Sequence, residues 1–370
     1  MGREKNEMTT NDAMAGERSA RVLVTGGGGF LGSAIVSRLV QRGGPVRSLS
    51  RKFYPELEAM GVEQIQGDIA DPTVVTKACE EIDIVFHVAA KPPPWGKYRD
   101  YYQTNVVGTE NVIEGCNRQN VARLVYTSTP SVVFDGSDVE GADESLPYPR
   151  RLPRDPYCRT KIVAERLVLQ ANGPRLATCA LRPVGMYGPR DRYHLGNVIR
   201  MARRGKFVRL GDGTARFSHV YSENAAFAHL LAAERLRPGS PVAGQAYFIA
   251  DHYPAMNLFD FMEPFLLALG LPLPRRRIPY AAAMVLATIA EALAPRSSFS
   301  RFAVIQTCVD HTFVDGKAAR ELGYWPIISK EEAFRRTVAW LRNGEGTTFT
   351  GSGSVLARES TRGNDPALRR

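Results

Sequence analysis

The sequence predicts an α/β protein built on a doubly wound, Rossmann-type parallel sheet. Three observations carry that expectation. Short, continuously apolar runs alternate with helical patterns through the first half of the chain, which is how strands buried on both faces read. The first of these runs, Val22-Leu23-Val24, ends in a glycine turn in which Gly26, Gly29 and Gly32 are spaced G-x-x-G-x-x-G. Ile35, Val36, Leu39 and Val40 then follow at helical spacing, so strand, tight turn and helix succeed one another directly.

Such a turn lets the backbone approach a pyrophosphate closely, while the N–H groups and dipole of the helix start bind the phosphate oxygens. Gly26, Gly29, Phe30, Leu31 and Gly32 are therefore expected to bind a cofactor. A Walker loop would need Lys-Ser or Lys-Thr after its last glycine, but Ser33 and Ala34 stand there. The expected ligand is a dinucleotide rather than a nucleoside triphosphate.

Composition narrows the class further. With 370 residues, 44% hydrophobic and 23% charged, the chain reads as globular and large enough to bury a substantial core. Its net charge of +10 is scattered, with clusters at Arg150–Arg154, Arg200–Lys206 and Arg275–Arg277. No basic stripe interleaves with aromatics, so no nucleic-acid partner is expected; an anionic membrane surface or an acidic substrate fits better. The five scattered cysteines include no C-x-x-C pair, which points to reduced thiols and a cytoplasmic setting. The six histidines show no metal-ligand spacing, so no metal is expected.

Taken in order, residues 1–19 are polar and without periodicity, and read as a disordered extension lacking a secretory h-region. Residues 20–192 form the expected dinucleotide-binding domain. Its second strand, Val46–Arg51, ends at Ser50-Arg51-Lys52. NAD-binding units usually place an acid at this tip to take the ribose 2′-hydroxyl. Arg51 suits a 2′-phosphate instead, so NADP(H) is favoured over NAD(H); a solvated basic turn is the bland alternative. The third strand, Val62–Ile65, leads to Gly67-Asp68-Ile69, whose Asp68 and Ile69 are expected to flank the adenine. The fourth runs from Ile82 to Ala89 and Ala90, which should line the cofactor, and the fifth is Leu124–Thr127. Helical patterns lie around 72–81 and 101–119.

The chemistry sits in the next helix, over 157–171. Tyr157 and Lys161 are four residues apart and share one face. A tyrosine titrating near pH ~10 is a poor acid–base at neutrality, and a nearby ammonium would lower that value. Thr127-Ser128-Thr129 ends the fifth strand upstream and offers hydroxyls for a substrate oxygen; β-propensity alone also explains threonine there.

Glycine turn, strand-end hydroxyl and Tyr/Lys helix, in that order, make the chain resemble an extended short-chain dehydrogenase/reductase over residues 20–342, in the 3β-hydroxysteroid dehydrogenase/isomerase branch. The matching motifs are Thr25-Gly26…Gly29…Gly32, His87-Val-Ala89-Ala90, Asn105-Val-Val-Gly108-Thr109, Leu181-Arg182-Pro183…Tyr187-Gly188-Pro189 and Phe313-Val-Asp315. The resemblance implies Thr129, Tyr157 and Lys161 as catalytic residues, with Ser128 the lesser choice for the hydroxyl. It also implies Pro183 at the cofactor, Tyr187 at the substrate, and Asn105 supporting Lys161 through water. Within the branch, Ser50–Leu57, Ala89–Gly96 and Tyr126–Val132 look especially like the 2-alkyl-3-oxoalkanoate reductases of bacterial olefin biosynthesis.

The expected function is therefore an oxidoreductase interconverting a 3-oxo and a 3-hydroxy group on a large hydrophobic substrate. Tyr157 donates the proton, Thr129 orients the oxygen, and Lys161 holds ribose and tunes Tyr157. A 3-oxo acid carries a carboxylate that an apolar site cannot bury alone. Lys91 is expected to meet it and Trp95 to wall the alkyl part, although a solvated lysine and a structural tryptophan would read the same. The alternatives are a 3β-hydroxysteroid or sterol C4-decarboxylating dehydrogenase using NAD, a nucleotide-sugar epimerase or dehydratase, and a cofactor-sensing regulator on the same fold.

The resemblance further implies a smaller C-terminal substrate-binding domain made up mainly of residues 193–342, with about 217–235 returning to the first domain; residues 343–370 read as a disordered tail. Within it, Ala281–Ala294 is apolar but shorter than the ~20 residues needed to span a bilayer. It is expected to cover the substrate, with Met284 and Leu286 at the pocket. The alternative is a weak membrane-surface contact through 275–294, which would make the protein peripheral at a membrane. A homodimer is also compatible with the sequence.

Overall fold

The computed structural model describes residues 19–93, 96–293 and 299–343. Trp95 and most of the expected N- and C-terminal extensions lie outside them. The first domain is a seven-stranded sheet of β1 (Val22–Thr25), β2 (Val46–Ser50), β3 (Glu63–Gln66), β4 (Ile84–His87), β5 (Arg123–Thr127), β6 (Ala177–Pro183) and β7 (Ala246–Ile249). The strand order is 3-2-1-4-5-6-7, and every pairing is parallel. This is the doubly wound Rossmann-type topology, whose order reverses between β1 and β4 and opens a crevice there.

Helices cover both faces. On one, α1 (Phe30–Gln41) packs against α6 (Ser222–Arg235); on the other lie α2 (Pro72–Ala78), α3 (Gly108–Arg118) and α4 (Pro156–Gln170). Strands β1, β4 and β6 are buried along their whole length, which explains their continuous apolar reading. Asp71 and Asp155 cap α2 and α4 by accepting from backbone N–H groups, each followed by a proline at the first helical position. The helix expected over 101–119 is interrupted: Tyr98–Tyr102 leads into a π-helical turn at Gln103–Val107 before α3.

The return to the first domain extends further than 217–235. It includes β7, which pairs with β6, and the short helix Gly316–Leu322 packed on β7. The second domain is built around α5 (Leu195–Arg203), α7 (Leu258–Ala268) and α10 (Lys330–Arg342), with an aromatic core containing Tyr187, Phe259, Phe261 and Phe265. The apolar segment forms α8 (Tyr280–Leu293), followed by α9 (Arg301–Cys308).

Here the structure corrects the sequence reading. Ala283, Met284 and Ala287 of α8 pack towards Val304 of α9, while Val285, Leu286, Ile289 and Leu293 are exposed. Leu286 therefore points outward rather than into a pocket, and Met284 packs between helices. A helix apolar on all sides does not reveal in its sequence which side is covered. Among the described residues no helix is long and apolar enough to cross a membrane.

A buried ion pair ties α4 to the sheet. Arg182 of β6 donates to Glu165 of α4 at 2.6 Å, and the Tyr148 hydroxyl donates to the same oxygen at 2.6 Å. The Glu165 side chain is fully buried. Removing one partner from such a pair leaves a buried charge uncompensated. Glu165→Ala is expected to cost about 3–5 kcal/mol in urea unfolding. Glu114→Ala, which breaks the exposed Arg118 pair on α3, is expected to cost less than about 1 kcal/mol.

Candidate active site

The crevice at the strand-order reversal continues into the second domain as one cavity of about 820 Å³. Its first half is built by the glycine turn. Gly26 has φ +73°, and its missing side chain leaves room for Ala89, whose Cα would stand 3.0 Å from an added Cβ. A Cβ on Gly32 would lie 2.1 Å from the Gly26 carbonyl oxygen, so the helix start can close on the turn only without one. The first turn of α1 has no side-chain cap, which leaves its N–H groups available to an anion. Gly26, Gly29, Phe30, Leu31 and Gly32 all line the cavity, as do Arg51, Lys52, Asp68, Ile69, Ala89 and Ala90. This arrangement fits a dinucleotide, with its adenosine towards the ends of β2 and β3.

The strand ends are held by Thr25, whose hydroxyl accepts from the N–H groups of Val88 and Ala89 at 3.1 Å each and bonds His87 Nδ1 at 2.8 Å. Beyond them, Ser128, Ser131, Tyr157 and Lys161 line the middle of the cavity. The Ser128 hydroxyl is buried and has no hydrogen-bond partner among the described residues. Thr129 is not part of the wall. Its hydroxyl lies near the Tyr157 phenol and donates to Ser131 Oγ at 3.3 Å. One hydroxyl thus stands near Tyr157 behind the wall, and another, that of Ser128, is unpartnered in the wall itself.

The electrostatics differ from the expectation. Burial pushes the Tyr157 phenol above its usual value, and the polar Thr129 side chain beside it acts in the opposite sense. Lys161 does not supply the expected pull. Its ammonium donates to the Tyr126 hydroxyl at 2.5 Å and to the Thr127 carbonyl at 2.8 Å. Burial brings Lys161 down to about 7.

Other expected residues are placed elsewhere. Lys91 does not line the cavity: its backbone is bound at both ends by the Asn105 amide, and its ammonium lies 5.3 Å from the centre of the Tyr101 ring. A cation over an aromatic face is attracted by the ring quadrupole, which accounts for the place of this ammonium beside Tyr101. Asn105 is thus bound directly to Lys91 and, at 3.1 Å, to Thr160. Tyr187 is 2% exposed and packs edge-on against Phe261, so it belongs to the second core. Its neighbour Met186, on the opposite face of the strand, lines the cavity instead, together with the backbone at Gly185. Pro183 is buried in β6 opposite Ile249 and is not part of the cavity wall.

The far half of the cavity is mainly apolar. Met186, Val198, Met201, Phe207, Phe217 and Leu258 line it, and α9 adds Phe302 and Ala303. Sequence reasoning missed both this α9 wall and Tyr126, although Tyr126 stands directly before the Thr127-Ser128-Thr129 triplet. Among the described residues no group of three or more His, Cys, Asp or Glu is placed to hold a metal.

Comparison with known proteins agrees with this geometry. Residues 23–280 match the 3-beta hydroxysteroid dehydrogenase/isomerase family. The chain is 43% identical to the 2-alkyl-3-oxoalkanoate reductase of Stenotrophomonas maltophilia, over 86% of this chain and 98% of that one. It is 38% identical to the 3 beta-hydroxysteroid dehydrogenase/Delta 5-->4-isomerase of Mycobacterium tuberculosis, over 87% and 90% respectively. Among solved structures, MoeE5 in complex with UDP-glucose and NAD superposes with a TM-score of 0.70 at 25% identity, covering 88% of this chain and all of that one. The chain therefore belongs to the 3-beta hydroxysteroid dehydrogenase/isomerase family, and is an enzyme of the extended short-chain dehydrogenase/reductase type.

Proposed function

We propose that this enzyme uses a nicotinamide dinucleotide to reduce a 3-oxo group on a lipid-like substrate, with a 2-alkyl-3-oxoalkanoate as the favoured compound. The observation that carries this reading is the continuity of one cavity. A glycine turn open to a pyrophosphate, a tyrosine flanked by two strand-end hydroxyls, and a mainly apolar chamber follow one another along it. The relative at 43% identity supports the choice of substrate. Turning Lys91 away from the cavity removes one argument for a 3-oxo acid, so a 3-oxosteroid is kept as the second reading, on the relative at 38%.

When bound, the nicotinamide supplies the hydride. Tyr157 then delivers its phenolic proton to the substrate oxygen. Thr129 holds the Tyr157 hydroxyl in place, and Ser128 offers its unpartnered hydroxyl to the same oxygen. Lys161, at the cavity wall beside Tyr157, is suited to hold a ribose hydroxyl.

Tyr157→Phe is expected to lower turnover about 10²–10⁴-fold and leave cofactor affinity within about twofold, since only proton transfer uses the hydroxyl. Anaerobic assays with 2-alkyl-3-oxo acids, 3-oxosteroids and UDP-sugars check this and identify the substrate. Turnover on sugars alone, or an active Tyr157→Phe enzyme, would sink the reading.

Arg51 lines the adenosine end of the cavity with no acid at its strand tip, which favours NADP(H); the NAD held by the structural neighbour makes NAD(H) the alternative. Arg51→Asp is expected to shift the NADPH/NADH affinity ratio towards NADH by about tenfold or more, because a charge-assisted phosphate contact becomes a repulsion. Fluorescence titration of both nucleotides measures it, and an unchanged ratio would rule Arg51 out.

The outward face of α8, apolar and preceded by the exposed Arg275–Arg277, suits an anionic bilayer surface, consistent with a cytoplasmic enzyme peripheral at a membrane. Vesicles rich in anionic lipid are expected to sediment the protein. Ile289→Glu or raised salt should release it. Binding that ignores both changes would exclude this face, and concentration-dependent self-association lost in Ile289→Glu would assign it to a homodimer instead.

A further inference from the structure

The Tyr126–Lys161 contact is stronger than packing requires. Tyr126 lies one residue before the end of β5 with 1% of its surface exposed, and the centre of its ring lies 4.2 Å from Lys161 Nζ. A phenylalanine would fill the same space. The hydroxyl adds the 2.5 Å bond from the Lys161 ammonium, and a buried phenol without a partner would cost stability. Lysine carries three donors and no acceptor. Thr127 O and Tyr126 Oη take two of them, leaving one for the cavity that Lys161 lines.

The other charged or titratable groups around Lys161 do not fix its ammonium. Glu165, one turn further along α4, is committed to Arg182 of β6 and to Tyr148. His87 of β4 is buried and brought down to about 3, so it is neutral. Tyr157, one turn earlier on α4, lies near Thr129, and the bonds of the ammonium go to Tyr126 and Thr127 instead.

We propose that Tyr126 is a positioning residue: with the Thr127 carbonyl, its hydroxyl fixes the Lys161 ammonium so that the remaining N–H is aimed at the cofactor ribose. This rests on the reading of the chain as a dinucleotide-dependent reductase. The hydroxyl touches neither substrate nor the reacting carbon, and acts only through the lysine. Two fixed acceptors on β5 explain how one flexible side chain can serve a fixed point on a ligand.

The test is a double-mutant cycle of Tyr126→Phe and Lys161→Met, read in two ways. In the cofactor-free protein, a folded-state lysine lowered to about 7 means that the unfolded chain binds more protons above that pH. Stability therefore rises with pH from about 7 towards the ordinary lysine range, and the cost of the buried ammonium is carried in full below it. Tyr126→Phe should lower the Tm more at pH 6 than at pH 9, and by the same amount at both in the Lys161→Met background. In the second reading, Tyr126→Phe should weaken NAD(P)H binding about fivefold, Lys161→Met should weaken it more, and the double variant should bind no worse than Lys161→Met alone. Equal Tm losses at both pH values, or additive losses of affinity, would overturn the proposal. Coupling in Tm and affinity without turnover on any 3-oxo substrate would overturn the reductase reading and leave the positioning role standing.

Discussion

A single directed chain of hydrogen bonds holds the mouth of the crevice open. The Thr109 hydroxyl donates to the Asn105 carbonyl at 2.7 Å, so its bond to His87 Nε2 at 3.0 Å is one it accepts. His87 is thus the Nε2–H tautomer, and its Nδ1 accepts from Thr25. That leaves the Thr25 lone pairs for the N–H groups of Val88 and Ala89. Each atom has one role, and the imidazole is neutral, in keeping with its lowering to about 3 by burial. The chain joins β1, β4 and the start of α3 just where the parallel ladder ends and backbone groups would otherwise be unpaired. The glycine turn and the Ala89 backbone, which pack directly against each other, take their spacing from it.

Helix α4 carries the opposite solution to burying charge. Glu165 is fully buried and fully paired, by Arg182 and by Tyr148. Lys161, one turn earlier, is just as deep and has only neutral oxygens for company. The first arrangement fastens the helix to β6; the second leaves a cation whose charge is costly and therefore adjustable. Tyr157 lies a further turn back, at the helix start capped by Asp155. One helix thus presents an anchor, a tunable cation and a proton donor in succession, and its rigidity sets their spacing.

This helix was legible in the sequence because what marks it is local: a four-residue interval that puts Tyr157 and Lys161 on one face. The glycine turn was legible for the same reason. What failed was direction. Following Ala89-Ala90 along the chain places the Lys91 backbone correctly but says nothing of Tyr101, ten residues on, which draws its side chain away. Tyr187 sits in a motif whose strand alternates, and only the pairing of Gly185–Tyr187 with His219–Tyr221 decides which residues meet the core. The α8 segment is apolar on every side, so its covered face depends on α9, which the sequence marks with no motif. Tyr126 and Lys161 meet across thirty-five positions, an interval no local pattern encodes.

The division between the two halves of the cavity also bears on substrate class. The structural neighbour in complex with UDP-glucose and NAD shares the scaffold at a TM-score of 0.70, so the fold accommodates a sugar nucleotide in principle. A diphosphate, however, needs cations where it is bound, since an unpaired anion in an apolar chamber is expensive. In this chain the cationic candidates of the far half, Lys206 and His194, are exposed at its rim. The buried acid Asp191 shares that wall, its carboxylate accepting from the N–H groups of Tyr193, His194 and Leu195. A diphosphate in this half would meet the Asp191 carboxylate and side chains such as Met186, Val198 and Phe207, which offer it no positive charge.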